Sequence, residues 1–326
     1  MSVTGNTEVT AISQILNSGD RLALSLKVFS GEIMEAFERN CVMLPRTMVK
    51  TISSGKSAQF PITGVTKAGY HVAGYNLLEE NNALISLTKS NEKVVSIDSA
   101  LVSAVFIDSL EEKMLHYDTR SIFARQMANA LAIAADQRLL QVGVLGARAS
   151  TNISDTSGYR SIAGGTVLSL GATVETSASV LRAGIISAAQ TLDSHDVPSE
   201  GRFIALRPAQ WYLLSEDSGR AYVEWSKDQF TKGELQMIGN ITPVMSNNIP
   251  STVISGATGE NNTYSGTFTS TVGLVWHRDA IGTVKLRDLE VKHWESDERM
   301  GHAIRASYAM GHGYLRPEAL VEISKA

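Results

Sequence analysis

Asp118-Thr119-Arg120-Ser121-Ile122-Phe123-Ala124-Arg125-Gln126-Met127-Ala128-Asn129-Ala130-Leu131-Ala132-Ile133-Ala134-Ala135-Asp136-Gln137-Arg138, continuing to Leu145, holds no proline and no glycine before Gly143. Phe123, Met127, Ala130, Leu131, Ala134 and Val142 recur near the helical period, so the spacing predicts one helix over 118–145 with a single apolar stripe. Asp118 or Thr119 serves as N-cap and Gly146 as terminator. At 1.5 Å per residue the helix would be roughly 40 Å long, longer than most globular helices. Its many alanines let another element lie close along it, so the rest of the chain is expected to hang on this helix.

Composition narrows the field. A chain of 326 residues is long enough for two domains or one elaborate one. With 29 basic and 33 acidic residues the net charge is -4, which argues against a dedicated nucleic-acid binder. The lone Cys41 forms no internal disulfide. No run reaches the length of a membrane span, and the first residues lack the basic and apolar regions of a secretion signal. The chain is therefore expected to be made in the cytoplasm, with no membrane partner.

On the N-terminal side of the helix, Ile33, Met34 and Phe37 form an amphipathic segment that Ser30 caps. Ala58, Phe60 and Ile62 alternate as a strand, and Lys93 to Asp98 alternates as a second. A polar, Gly- and Asn-rich excursion separates them, which describes a hairpin with too few apolar residues for its own core. Isolated hairpins are marginally stable, so this one must lean on something else.

On the C-terminal side, 147–177 is a Gly/Ser/Thr-rich excursion with little to bury. Thr176 or Ser177 then caps a helix with Leu181, Ile185, Ala188, Ala189 and Leu192 on one face, closed by Val197-Pro198. Arg202 to Leu206 reads as a buried strand and Pro208 opens a short helix through Trp211 and Leu214. The strand 239–245 contains Pro243 and so belongs at a sheet edge or bulge. Residues 251–271 read as a polar loop. Between Val284-Leu286 and Leu289-Val291 the alternation changes phase, which predicts a bulge or bend near Arg287-Asp288. Ile304, Ala306, Tyr308 and Met310 form a clean alternating strand.

Motifs of catalysis are weak throughout. Gly55-Lys56-Ser57 resembles the end of a phosphate-binding loop, but Lys50 stands where the first glycine belongs. Arg316 breaks the glycine pattern that Gly311-His312-Gly313 begins. The seven histidines make no metal-ligand pair at helical spacing, and there is no Gly-x-Ser-x-Gly elbow. No cofactor, metal or catalytic residue is assigned.

Longer stretches carry a resemblance. Ser54 to Pro61, Gly282 to Leu289, Tyr308 to Gly313 and Leu315 to Ala319, with Asp20 to Leu24 and His116-Tyr117-Asp118, are similar to the major capsid protein of short-tailed bacteriophages of the T-seven group. The resemblance implies the tailed-phage capsid fold, of α+β class, with no enzymatic activity. Residues 1–50 would be an N-terminal arm and 51–97 an extended β-hairpin loop. Residues 98–196 and 276–326 would form a peripheral domain built on the 118–145 spine helix, and 197–275 an axial domain. The partners implied are further copies of the chain in hexamers and pentamers, a scaffolding protein, a portal at one vertex, packaged double-stranded DNA without sequence-specific contacts, and a decoration protein. The acidic balance agrees, because a strongly cationic wall would hold phosphates tightly. Lys56, Phe60, Tyr75, Arg278, Lys285, Arg287, Asp288 and Glu290 are the candidates for contacts between subunits. Two rival readings remain open: a nanocompartment shell of the same fold, and a soluble hydrolase or nucleotide-binding enzyme.

Overall fold

The computed structural model describes residues 41–65, 70–71, 73–74, 90–108, 119–153, 162–215, 237–296 and 300–325. The amphipathic segment before residue 41, the excursion around Tyr75 and the proposed cap at Asp118 lie outside the described residues. The chain divides into two compact units. One holds Leu101–Ala132 and Leu289–Tyr308; the other holds Cys41–Ala100, Ile133–Asp288 and Ala309–Ala326.

The strands are β1 (Met48–Thr51), β2 (Ser57–Thr63), β3 (Ser90–Ser96), β4 (Leu101–Asp108), β5 (Thr166–Ser169), β6 (Arg202–Leu206), β7 (Ile241–Met245), β8 (Val253–Ile254), β9 (Gly266–Thr267), β10 (Thr271–His277), β11 (Ile281–Ser296), β12 (Gly301–Tyr314) and β13 (Leu320–Ser324). Among the described residues three α-helices accompany them: α1 (Thr119–Ala147), α2 (Ala178–Ser194) and α3 (Pro208–Ser215). Helix α1 and strands β11 and β12 each run through both units.

The larger unit is built on a five-stranded mixed sheet in the order β5-β13-β10-β6-β7. Its central strand, β10, is antiparallel to both β13 and β6, while β5 and β7 pair in parallel at the two edges. Every residue of β10 and β13 is buried, as expected of strands covered on both faces. On one face lies α2, whose Leu181, Ile185, Ala188 and Leu192 pack with Ile204, Leu206, Val275, Val321 and Ile323. Each such Leu or Ile contributes about 2 kcal/mol when withdrawn from water, so this stripe, not any single polar contact, fixes the helix. The opposite face meets the end of α1, where a Cβ at Gly143 would run into Leu274 of β10.

The stripe of α2 and the edge position of Pro243-bearing β7 agree with the sequence reading; Ser177 stands at the N-cap position, but its side chain meets Ser179 and makes no capping hydrogen bond. Several expectations need correction. Gly146 does not end α1; it lies inside it, because a Cβ there would stand 2.7 Å from Tyr314 Cβ and foul Leu320 as well. The buried face of α1 is Ala124, Met127, Ala128, Leu131, Ala132, Ala135 and Leu139, a clean i, i+3, i+4 series, whereas Ala130 is exposed. Alanine is equally at home on both faces, so the sequence pattern alone leaves the rotation of the stripe open. Helix α2 ends at Ser194, before Val197-Pro198. The 147–177 excursion contains strand β5 and a buried Val174. Strand β11 is continuous, yet Leu286, Arg287 and Asp288 are exposed in succession between buried Val284 and Leu289, so the phase changes where expected without a break.

The smaller unit pairs β4 antiparallel with the first half of β12, from Gly301↔Asp108 to Tyr308↔Leu101. Gly301 lies so close to the Phe106 ring that a Cβ would come within 2.6 Å of it. In the larger unit β1 lies parallel to the start of β11.

Candidate functional site

The hairpin is formed by β2 and β3, antiparallel from Ser57↔Ser96 to Thr63↔Ser90. It buries little of itself. Ala58, Phe60 and Val95 pack with Ile97 against Val284, Ala309 and Leu315, so its root leans on β11, β12 and the turn after them. The strand face beyond that cluster is polar, with Val94 46% exposed. Gly311 and Gly313 explain the approach: a Cβ on Gly311 would collide with the Ser96 carbonyl, and one on Gly313 would sit 2.7 Å from Val95 Cγ2. The Gly-His-Gly run is thus a flat seat for the hairpin root.

A polar cluster holds the end of β3 on that seat. Asn262 pairs with Ser96 as a strand partner would, its Oδ1 accepting the Ser96 N–H at 3.1 Å and its Nδ2 donating to the Ser96 carbonyl at 2.6 Å. Asn261 Nδ2 donates to the Ile97 carbonyl at 2.6 Å. The Asp98 carboxylate accepts from Asn261 N–H at 2.7 Å, from Asn262 N–H at 3.2 Å and from the Tyr264 hydroxyl. Tyr264, 1% exposed, in turn accepts the His312 N–H at 3.1 Å. Burial and the Asp98 charge drive the Tyr264 hydroxyl far above its ordinary pKa, so it stays a proton donor. Arg138 of α1 lies over the Tyr264 ring and pairs with Glu260 of the same loop. Asp98 closes the second alternating run, but nothing in the composition of 251–271 marks Asn261, Asn262 and Tyr264 as its partners.

The seven interface candidates that lie among the described residues fall in different surroundings. Lys56 is exposed in the turn before β2, and no helix follows it. Phe60 is 6% exposed within its own hairpin root, under the Lys50 ammonium at 5.2 Å, so it is a core side chain of this subunit. Arg278 is exposed in the turn between β10 and β11. On β11, Lys285 meets Asp288 at 3.5 Å and Glu290 meets Lys292 at 3.0 Å, with Arg287 exposed beside them. Tyr75 lies outside the described residues.

The histidines and serine of one cleft hold structural hydrogen bonds. In a cleft of about 450 Å³, His195 Nδ1 and His277 Nε2 each meet a backbone carbonyl, those of Glu318 and Glu200, at 2.9 Å. Ser194, on the same cleft, donates its hydroxyl to the Thr191 carbonyl. Among the described residues no group of three His, Cys, Asp or Glu side chains converges on a metal position. Cys41 is buried, and desolvation with the nearby Asp136 charge pushes its thiol up to about 12, so it stays an inert thiol. Asp136, fully buried on α1, accepts the Val42 and Met43 N–H groups at 2.9 and 3.0 Å and fixes the chain where the larger unit begins.

This architecture is that of a tailed-phage capsid subunit. The capsid of cyanophage P-SCSP1u matches with a TM-score of 0.76 and 36% identity over 86% of both chains. The mature capsid of bacteriophage PhiM1 matches with a TM-score of 0.68 over 86% of both chains, at 14% identity, and bears on the fold alone. In sequence, the major capsid protein of Escherichia phage T7 is 32% identical over 94% of this chain and 92% of its own. The family model described as Gp10A-like major capsid protein matches residues 59–324. The chain belongs to that family, and is accordingly a phage major capsid protein and a virion component.

Proposed function

We propose that this chain is the repeating subunit of an icosahedral head arranged as hexamers and pentamers, assembled in the bacterial cytoplasm around a scaffolding protein. A portal occupies one vertex, and the closed shell holds double-stranded DNA without sequence-specific contacts. The subunit catalyses nothing. In this reading 1–50 form the N-terminal arm and 51–97 the extended loop, which crosses a neighbouring copy. Residues 98–196 and 276–326 form the peripheral domain, and 197–275 the axial domain facing the symmetry axis. Lys56, Arg278, Lys285, Arg287, Asp288 and Glu290 supply charges to neighbouring subunits. A decoration protein on the outer surface belongs to the same reading.

The observation that carries it is family membership along nearly the whole chain. The hairpin adds a physical reason, since a two-stranded element with few buried residues of its own gains stability by lying on another surface. Many weak contacts closed into a shell become collectively stable while single wrong additions still dissociate. The test is to express the chain with its scaffolding protein, image the product and extract its contents. Closed particles that package double-stranded DNA when given the packaging machinery support the reading. Particles that retain a protein cargo and never take DNA would favour a nanocompartment, and a small catalytically active oligomer would favour an enzyme.

A further inference from the structure

The polar cluster at the end of β3 is more than a satisfied loop. Between Ser96 and Ser99 the backbone is held at every residue. Ser96 is held through both its polar groups by Asn262, and Ile97 through its carbonyl by Asn261 and its N–H by the Lys56 carbonyl at 2.8 Å. Asp98 N–H donates to the Met310 carbonyl at 3.3 Å, and Ser99 N–H to the Gly259 carbonyl at 2.9 Å. Asp98 meanwhile receives four donors from the 261–264 stretch. Charged acceptors make hydrogen bonds roughly twice as strong as neutral ones, and a network closed on itself resists the loss of any single bond.

The other root of the hairpin is fastened differently. Ahead of β2, Ile52 N–H donates to the Lys285 carbonyl at 2.9 Å, and Lys56 contributes the carbonyl already named. Ser53, Ser54, Gly55 and Lys56 are all exposed. One strand of the hairpin is therefore clamped while the approach to the other is a solvent-facing turn. The clamp is also continuous with α1, because Arg138 grips both Glu260 and the Tyr264 ring.

We propose that Asp98, Asn262 and Tyr264 are positioning residues for shell assembly. They fix the direction in which the β2–β3 hairpin leaves the subunit and tie that direction to α1, so that the hairpin presents itself to a neighbouring copy at one angle. This rests on the shell reading above. An angle held at the root is magnified along the hairpin, so a loosened clasp spreads the geometry of subunit contacts. The shell's size then loses its uniformity before the subunit loses its fold.

The experiment uses full-length protein with its scaffolding protein, comparing wild type with Tyr264→Phe and Asn262→Ala, and with Asn261→Ala as the milder change. Hydrogen exchange of β3 and residues 97–99 is measured beside that of β10 and β13, and particle diameters are measured by electron microscopy. The expected result is exchange at least tenfold faster at 90–99, unchanged protection of β10 and β13, and a broadened or multimodal diameter distribution. The effect should follow the order Asn262→Ala above Asn261→Ala. If a variant fails to fold, β10 and β13 lose protection too, and Asn261→Ala decides alone. Unchanged exchange at 90–99 overturns the clasp. Faster exchange with particles as uniform as wild type overturns the positioning role and leaves the shell reading intact. Wild-type protein that never closes into particles overturns the shell reading and this inference with it.

Discussion

Gly311 and His312 are neighbours on β12 and resist change for different reasons. Gly311 has no room, since any Cβ would strike the Ser96 carbonyl, a backbone atom that cannot rotate away. Overpacking of this kind costs about 1–3 kcal/mol, more when backbone must move. Gly311→Ala is therefore expected to lower the thermal midpoint by several degrees and to raise exchange in β3, both measurable on unassembled subunits. His312 is packed away from water. It is 2% exposed, with Nδ1 3.0 Å from Thr283 Oγ1, and burial with the Arg138 charge pushes its imidazole down to about 4 from 6.5. The unfolded chain takes up this proton near the ordinary value, whereas the folded chain resists it until about 4. Stability is therefore full above the ordinary value and falls with pH through that window, by about 2 kcal/mol at pH 5. His277, also shifted down by burial, adds in the same direction. Asp136, shifted up by burial, opposes it just above the ordinary carboxylate range. A urea midpoint that drops between pH 7 and 5 in wild type, and drops less in His312→Asn, confirms the assignment; equal slopes refute it.

Among elements, the end of α1 depends on one ion pair. Arg148, one residue past the helix, donates to both Glu322 oxygens at 2.6 and 2.7 Å and to the Thr267 carbonyl at 2.6 Å. Glu322 is fully buried on β13 and also accepts from Thr271 Oγ1 at 2.6 Å. Removing the cation strands a buried carboxylate, so Arg148→Ala should destabilise by about 3 kcal/mol, and Arg148→Ala with Glu322→Gln by less. Chemical denaturation of the two variants checks this. The exposed charges behave differently. Lys56→Ala and Arg287→Ala should each change subunit stability by less than about 0.5 kcal/mol, as exposed ion pairs do. They should nevertheless lower the heat resistance of assembled particles, and particles as heat-resistant as wild type would remove both from the interface.

What could be read from the chain follows from which physics is local. The α2 stripe, the β2 and β3 alternation and the edge strand at Pro243 are periodic or steric, and a sequence displays both. Helix α1 was visible in extent, but its orientation was not, because Ala130 and Ala132 look alike until a neighbour covers one of them. The clasp was invisible for a different reason. Asp98 and Asn262 are 164 residues apart, and an Asn-Asn pair in a polar loop is ordinary until a strand end is placed beside it.

At the scale of the whole molecule, the five-stranded sheet and α2 share a continuous apolar core, whereas β2 and β3 bury only Ala58, Phe60 and Val95 among the described residues. A subunit of this kind is finished by its copies. The measurement that tests this most directly is electron microscopy of the full-length chain purified after expression with its scaffolding protein. Closed icosahedral particles of uniform diameter are the predicted result. Monodisperse small oligomers that never close, at any concentration or salt, would contradict it.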